Sequence, residues 1–361
     1  MLSTGDPMNV LIPLARFSPS GQTSHVVDLA GALARSGVRV TLVHSRPADP
    51  TCTGPDEYRP LLAGTGVAVL SHDLAAGLPN GAPRPDVVHA HSTLDFPLAE
   101  RLARRHGAAF VVTVHGLGCG RILAGASLAR ADAVIAVGRR VAADIAGLAA
   151  GRVVVIENGV DTDRFHPPAG GSRPRGRTTV GGEVRVLYAG RVDAERRAGF
   201  TELIRALAAL SRHRRVRAVV LSDRPPGVAP ALLAGPRVSL DFPGWLVDPS
   251  PVFRTADVVV GCGRVIREGM ASGRPCLLLG RSYRGLVLPA ALDPARGHDF
   301  GAGGREGLPS AERIAADLLR LVRDPDLATR LGAEGRAYAL AHLSLAEVAA
   351  RTVALYEKVR R

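Results

Sequence analysis

The sequence predicts an α/β fold made of two similar halves, and three observations support this prediction. Short runs of β-branched and aliphatic residues alternate with Ala-, Leu- and Arg-rich stretches of helical period, as parallel strands joined by crossover helices require. This alternation occurs twice, on either side of a segment rich in Pro, Gly and Arg. With 361 residues, the chain is long enough for two domains that each bury a core.

The first half carries the strands and helices of one such domain. Short aliphatic runs predict strands at Asn9–Pro13, Val38–His44, Val67–Ser71, Val87–His91, Phe110–His115, Ala133–Val137 and Val153–Glu157. Apolar residues three and four positions apart predict helices over Thr23–Ser36, Pro97–His106 and Gly138–Leu148. The residues before Met8 are predicted to be a tail.

The second half repeats the alternation after the segment PPAGGSRPRGRTTVGG, residues 167–182, which we interpret as an interdomain linker. Strands are predicted at Val184–Tyr188, Arg217–Leu221, Val238–Phe242, Val258–Gly261 and Pro275–Leu279. Helices are predicted at Thr201–Arg212, Asp248–Thr255, Arg264–Ala271 and in a tail over Ser310–Arg361. The sequence therefore predicts two facing Rossmann-like domains, and the cleft between them is the expected ligand site.

The charge balance is strongly basic, with a net charge of +13, but it is a weak indicator of partner. Lys358 is the only lysine, so the other basic residues are arginines, and the abundance of Ala and Gly beside them is typical of codon bias. The basic clusters Arg101/Arg104/Arg105 and Arg212–Arg217 are short. No nucleic-acid partner is expected, and peripheral association with an anionic membrane is left open.

The cysteines and the apolar runs suggest a cytoplasmic protein. Cys52, Cys119, Cys262 and Cys276 lie far apart, which favours neither a zinc knuckle nor a disulfide scaffold. No apolar run reaches the ~18 residues of a membrane span, and the first residues lack the pattern of a signal peptide.

Two motifs of the first half are candidates for ligand contact. In FSPSGQTSHVV a Ser/Gly loop precedes a helix, so Gly21 lets an anion approach the helix N-terminus; a plain capped turn is the alternative. No G-x-G-x-x-G motif or Walker lysine occurs, which argues against a nicotinamide dehydrogenase or a P-loop NTPase.

Three histidines lie at the ends of predicted strands. His89 and His91 lie on one face of a strand end and are interpreted as structural, because a metal site would need a third ligand and supporting partners that the sequence does not indicate. His115, in TVHGLG, is either structural or a donor to a sugar hydroxyl.

The second half supplies arginines and a glycine turn. In VLYAGRVDAERRAGF, Arg191 follows a glycine at a strand end, where its planar fork suits phosphate oxygens; Arg196 and Arg197 are further phosphate ligands or solvated charges. In VVVGCGRVIREGM, the turn at Gly261–Gly263 leads into a helix whose free N–H groups suit a diphosphate. Glu268, about one turn further, is a candidate acceptor for ribose hydroxyls.

Together these segments resemble the retaining nucleotide-sugar glycosyltransferases of family four, which have the GT-B fold. The resemblance covers nearly the whole chain from Met8 and is carried by SPSGQTSHVVDLAGALARSGVRVTLV, PDVVHAHS, TVHG, ADAVIAVGRRV, VIENGVDTDRFHP, YAGRVD, WLVDPSPVFRTADVVV and REGMASGRP. It implies an N-terminal acceptor domain over 8–166, a nucleotide-sugar domain over 183–339, and a C-terminal helix over 340–361 that returns to the first domain.

The resemblance also implies roles for single residues. Gly21 matches the loop that approaches the donor phosphate, His115 the histidine near the transferred sugar, and Arg191 the phosphate-binding arginine. Trp245 lies where the family contacts the base, and the amides of Gly263, Arg264 and Val265 would hold the diphosphate. Glu268 matches the second, ribose-binding glutamate of the E-x7-E motif.

Two positions depart from the family pattern. Ala198 stands where the family has a lysine before Gly199, so Arg196 or Arg197 would replace the charge. Val260 stands at the first glutamate, which contacts the donor sugar in the family.

The resemblance implies a retaining hexosyltransferase that needs no metal or other cofactor and takes a secondary metabolite, a glycan or a lipid as acceptor. The alternative is a non-catalytic GT-B-like accessory or binding protein, which Val260 and Ala198 favour.

Overall fold

The computed structural model describes residues 6–14, 17–44, 55–78, 80–118, 125–149, 151–168, 182–223, 225, 227, 237–301 and 307–360. The chain divides into two compact units. The first comprises Met1–Gly159 together with Leu345–Arg361, and the second comprises Val160–Ser344. Each unit is an α/β domain with its own sheet.

The first unit is built on a seven-stranded parallel sheet with the order β3-β2-β1-β4-β5-β6-β7. Its strands are β1 (Asn9–Pro13), β2 (Arg39–His44), β3 (Ala68–Ser71), β4 (Val87–Ala90), β5 (Ala109–Val114), β6 (Ala133–Ala136) and β7 (Val153–Val155). Its helices are α1 (Gly21–Arg35), α2 (Pro55–Leu62), α3 (Phe96–His106), α4 (Gly125–Arg130) and α5 (Arg139–Ile145). Because β4 and β5 are buried along their whole length, they read as mostly apolar runs in the sequence.

The second unit repeats this arrangement with six strands in the order β10-β9-β8-β11-β12-β13. The strands are β8 (Glu183–Ala189), β9 (Arg215–Leu221), β10 (Val238–Asp241), β11 (Val258–Gly261), β12 (Cys276–Leu279) and β13 (Tyr283–Leu286), of which β13 pairs antiparallel with β12. The helices are α6 (Arg197–Leu210), α7 (Ser250–Thr255), α8 (Arg264–Ala271), α9 (Ala311–Arg323) and α10 (Pro325–His342). Two 3-10 helices lie at Pro289–Ala291 and Pro294–Arg296. The predicted α/β fold with two Rossmann-like domains is confirmed.

Some elements differ from those predicted. The helices α2 and α4 and the strand β13 were not predicted, since their short segments carry little periodicity. Helix α6 begins at Arg197 rather than at Thr201, because Asp193 accepts the backbone N–H of Arg196 and starts the helix early. The predicted helical tail is three helices: it breaks at Asp324, whose side chain caps α10, and again before α11 (Leu345–Val359).

The division between the units falls at Gly159, whereas the sequence placed the domain boundary at residue 166. Val160 donates a backbone hydrogen bond to Leu343 at 2.8 Å, and Phe165 packs edge-on against Phe253 in the core of the second unit. Residues 160–166 are thereby part of that unit. Of the predicted linker over 167–182, residues 169–181 lie outside the described residues, as do Cys52 and Cys119.

Helix α11 belongs to the first unit, where it packs against α1. The hydroxyl of Tyr356 lies 2.6 Å from Nδ1 of His89, and both side chains are completely buried. Within the described part of the chain, no helix has the length and apolar character needed to cross a bilayer.

Candidate functional site

Each sheet has one place where the strand order reverses, and ligands of doubly wound sheets bind at the carboxyl ends of the strands there. In the first unit this place lies between β1 and β4, and in the second between β8 and β11. The residues singled out in the sequence follow strands at or beside these two places.

In the second unit, the loops that follow β8 and β11 start side by side. Gly261, the last residue of β11, lies opposite Ala189, the last residue of β8. The register brings the segment that starts with Gly190 and Arg191 next to the turn formed by Cys262 and Gly263. The structure therefore brings together two motifs that lie about 70 residues apart in sequence.

Asp193 organises the loop between β8 and α6. Its carboxylate accepts the Arg196 backbone N–H at 3.1 Å and forms an ion pair with the Arg196 guanidinium. Nε of Arg191 lies 3.7 Å from the same carboxylate, and the Arg191 side chain is 57% exposed. A long, exposed ion pair contributes little to stability, so the Arg191 fork can exchange this partner for a ligand.

Arg196 also faces the turn after β11. Burial alone lowers the pKa of its guanidinium, but Cys262, Asp193 and Tyr188 outweigh burial and raise this pKa. Burial has the opposite effect on the phenol of Tyr188 and raises its pKa. The Tyr188 hydroxyl donates to the Arg191 carbonyl at 3.3 Å. Asp193, which the sequence analysis did not single out, is thus the residue that places both arginines.

The first turn of α6 contains two residues that face solvent and one buried glycine. Arg197 and Ala198 are exposed, whereas Gly199 is buried. A Cβ atom on Gly199 would overlap the carbonyl oxygen of Gly280. The glycine that matches the family's K-G pair is therefore required for close packing of α6, and the position of the missing lysine is open to solvent.

The turn between β11 and α8 is short and tight. Gly263 is the N-cap of α8 with φ of +65°, a conformation that favours glycine. Its N–H donates to the Phe300 carbonyl at 2.7 Å. Of the three amides predicted to hold a diphosphate, that of Gly263 is thus already hydrogen-bonded. The amides of Arg264 and Val265 remain as the expected diphosphate contacts.

Arg264 and Glu268, both predicted to contact the donor, contact each other. Nη2 of Arg264 lies 3.0 Å from Oε1 of Glu268 across one turn of α8, and their side chains are 12% and 9% exposed. The pair fixes the orientation of the glutamate and compensates its charge.

Val260 is a core residue of the second unit. It is fully buried in β11, where its backbone neighbours are Tyr188 on β8 and Leu277 on β12. The position that matches the first glutamate of the E-x7-E motif therefore lies within the sheet, and its side chain is part of the apolar core.

Trp245 lies in the segment between β10 and α7 and is partly exposed. Its indole Nε1 is buried and has no hydrogen-bond partner among the residues that the structure describes. Buried donors of this kind are normally satisfied, so a ligand acceptor is a suitable partner for it.

In the first unit, Ser20 caps α1 by accepting the Thr23 N–H at 3.1 Å, so the helix begins at Gly21, two residues earlier than predicted. Gly21 is exposed at this N-terminus. The next residue, Gln22, donates to the carbonyl of His91 at 2.6 Å. The start of α1 is thereby fastened to the end of β4.

Histidines line the carboxyl ends of β4 and β5. His91 Nδ1 lies 3.2 Å from His115 Nε2, and His25, on the first turns of α1, packs its ring 5.0 Å from that of His115. No third ligand for a metal is apparent from the sequence around His89 and His91. The structure supplies His25, which lies on a helix remote from them in sequence. His89 fits the predicted structural role, with Tyr356 and Thr113 on its two nitrogens at 2.6 and 2.7 Å.

A further cavity of about 620 Å³ lies in the second unit. It is lined by the middle of β8, by β9 and β10, and by the end of α7. Gly190 and Arg191 are not among the lining residues, so this cavity is separate from the segment that follows β8.

Comparison with known proteins shows what this chain is similar to. Residues 19–164 match the family model described as Glycosyltransferase Family 4. The chain is 28% identical over 375 aligned positions to the D-inositol 3-phosphate glycosyltransferase of Kineococcus radiotolerans, an alignment that covers 87% of this chain and 85% of the relative.

Solved structures are similar over almost the full length. A glycosyltransferase from Rickettsia africae matches with a TM-score of 0.69 at 16% identity and covers 98% of this chain and 99% of its own. Anabaena HepE, solved in complex with UDP and glucose, matches with a TM-score of 0.68 at 16% identity and covers 96% and 98%. At these identities the likeness is one of fold, and it confirms the GT-B type predicted from the sequence.

Proposed function

We propose that the chain is a glycosyltransferase similar to those of family 4, and that it transfers a sugar from a nucleotide diphosphate sugar to an acceptor hydroxyl, with retention and without a metal ion. One observation carries this proposal: Arg191, Arg196 and the N-terminus of α8 meet at the carboxyl ends of β8 and β11. Positive charge and helix N–H groups at this place suit a diphosphate.

The diphosphate is the leaving group, and its developing charge needs stabilisation. Arg191 offers an exposed fork for two phosphate oxygens, while Arg196 is held by Asp193 and offers a cation in fixed orientation. With two arginines and a helix terminus at one place, the site has the charge that a metal ion supplies in other transferases.

The rest of the donor is assigned to residues around this centre. Glu268 accepts the ribose hydroxyls, and its ion pair with Arg264 orients the carboxylate. Trp245 contacts the base, for which its indole N–H is a suitable donor. We propose uridine as the base, because HepE was solved with UDP-glucose and matches this fold over the whole chain.

We assign acceptor binding to the first unit, and we assign Gly21 and His115 of that unit to contacts with the reacting groups. His115 is only half-buried and can donate to a hydroxyl of the transferred sugar. A phosphate oxygen of the donor takes the proton of the attacking hydroxyl, so the protein's task is to orient the reactants and stabilise charge. A secondary metabolite, a glycan and a lipid remain the acceptor classes.

The test is transfer or donor hydrolysis with a panel of UDP- and GDP-sugars, comparing wild type with Arg191→Ala. We expect activity with at least one donor and a loss of about 100-fold in kcat/KM for Arg191→Ala, the usual cost of one charge-stabilising donor. Arg212→Ala, an exposed arginine just beyond the other end of α6, is the control and should keep the wild-type rate. Wild-type kinetics in Arg191→Ala would refute the phosphate assignment, and NMR of the product anomer tests retention.

The buried position of Val260 favours a second candidate, a non-catalytic accessory protein, because no carboxylate can reach a donor sugar from within β11. Calorimetry separates the two. Binding of a nucleotide sugar without turnover supports the accessory role, whereas an absence of binding to every nucleotide sugar contradicts the transferase.

A further inference from the structure

Three histidines of the first unit converge on one point. His25 lies on α1, His91 directly follows β4, and His115 directly follows β5. One ring nitrogen from each lies within 4.8 Å of the corresponding nitrogens of the other two. His25 and His91 are almost completely buried, at 3% and 2% exposure, whereas His115 is half-buried and leaves one side accessible.

The separations fit a tetrahedral metal. Zinc bonds imidazole nitrogens at about 2.0–2.1 Å, which puts two ligands of a tetrahedral ion about 3.3–3.4 Å apart. The 3.2 Å between His91 Nδ1 and His115 Nε2 is close to this value. The other pairs are no more than 4.8 Å apart, so their nitrogens must approach by at most about 1.5 Å, a shift within the range of imidazole side-chain rotation.

The surroundings hold the ligands in place. Gln22 donates to the His91 carbonyl at 2.6 Å and thereby connects the N-terminus of α1 to His91, one of the three converging histidines. The ring of His89, fixed by Tyr356 and Thr113, packs 4.1 Å from that of His91. Positioned imidazoles lose less entropy when a metal binds than flexible ones do.

Hydrogen bonding inside the cluster leaves one ring nitrogen of His91 without a partner among the described residues. His91 uses Nδ1 toward His115, and its Nε2 is buried without a hydrogen-bond partner among the described residues.

We propose that His25, His91 and His115 form a site for a divalent transition-metal ion, with zinc as the preferred ion and water as the fourth ligand on the open side of His115. An all-imidazole site selects zinc, copper or nickel over magnesium and calcium, which prefer oxygen ligands. The site shares His115 with the proposed function, but zinc binding and sugar transfer are measured separately, so the failure of one is distinguishable from the failure of the other.

The experiment uses the untagged full chain, stripped of metal with a chelator. Zn²⁺ is titrated against a chromophoric chelator to obtain affinity and stoichiometry, and Co²⁺ is added separately for its visible absorption, which is intense only in tetrahedral sites. We expect one Zn²⁺ per chain and a tetrahedral Co²⁺ spectrum. His115→Ala and His25→Gln should each lower the affinity by at least about 100-fold, since each removes one of three protein ligands.

His213→Ala is the matched control, because His213 is exposed in the second unit and should leave the affinity unchanged. Circular dichroism of each apo variant checks the fold, and the half-buried His115 is the substitution that the packing tolerates best. The proposal is overturned if wild type binds no stoichiometric Zn²⁺, or if the folded His115→Ala variant keeps both the affinity and the Co²⁺ spectrum.

Discussion

The two sheets share one topology and place different chemistry at the same point of it. Around the central strand, the order β3-β2-β1-β4-β5 in the first unit matches β10-β9-β8-β11-β12 in the second. In the first unit the strand ends carry imidazoles, and in the second they carry arginines and glycines. The fold provides a place for a ligand, while the residues decide which ligand it is.

Burial explains why each set of residues suits its place. The histidines at β4 and β5 are largely inside the unit, where a cation is costly and a neutral ring is tolerated. Arg191 reaches solvent beyond Gly190, and Arg196 is paired with Asp193, so both charges are kept without the cost of full burial. We therefore expect the second unit to bind an anion and the first unit to bind a neutral molecule or a metal ion.

The largest predicted effect concerns the anion site. Replacing the paired Arg196 by alanine should lower kcat/KM for sugar transfer by about 100-fold, or about 2.7 kcal/mol, because the fixed cation is lost where the diphosphate charge develops. The adjacent Arg197→Ala should stay within about twofold, since Arg197 is exposed on the first turn of α6. Steady-state kinetics with the best donor of the panel measure both. Equal losses in the two variants would mean that loop charge as a whole, rather than the oriented arginine, binds the donor.

Much of this architecture could be predicted from the sequence. Buried parallel strands read as aliphatic runs, and β1, β8, β11 and α8 lie within one residue of their predicted bounds. The start of α6 could not be placed, because it depends on a side-chain contact of Asp193 that apolar periodicity does not register. The same holds for the breaks in the tail, where capping by Asp324 decides.

The candidate sites were predictable to a smaller extent. Arg191 and Arg196 stood out because they follow a strand end, a position with meaning in this fold. His25 did not, because its proximity to His91 and His115 arises from the packing of α1 on the sheet. The engagement of the Gly263 amide by Phe300 was equally invisible, since these residues are far apart in sequence.

The next effect compares two tyrosine–histidine hydrogen bonds of equal length, one in each unit. Tyr356→Phe should destabilise the first unit by about 2 kcal/mol, because Nδ1 of the buried His89 loses its partner where no water can replace it. Tyr338→Phe should cost less than about 1 kcal/mol, because Tyr338 and His298 are partly exposed and water can take the place of the hydroxyl. Urea titration gives both values, and hydrogen exchange of the α11 amides reports the first one locally. A Tyr338→Phe variant as unstable as Tyr356→Phe would show that burial is not what separates the two bonds.

The smallest effect contrasts a buried carboxylate of the first unit with an exposed one of the second. Glu100 on α3 is 5% exposed and accepts from Nη2 of Arg130 and from Ser127, each at 3.0 Å. The hydrogen bond from Arg130 lowers the pKa of Glu100 against the opposing effect of burial, and Ser127 adds to the lowering. Because the folded protein lowers this pKa, the ionised Glu100 stabilises the fold, and the whole effect is present above the ordinary pKa near 4.5. The stabilisation disappears as the pH falls through the lowered pKa.

Glu100→Gln should therefore cost about 1 kcal/mol at pH 7, a figure discounted because Arg130 is 52% exposed, and the difference from wild type should shrink below pH 4.5. Asp241→Asn removes an ion pair to Arg217 with side chains 41% and 48% exposed, and it should change the free energy of unfolding by only a few tenths of a kcal/mol. Urea titrations at a series of pH values test both variants. A Glu100→Gln deficit that stays constant from pH 7 to pH 3 would mean that its cause is packing between α3 and α4, since only the loss of an ionised partner fades with protonation.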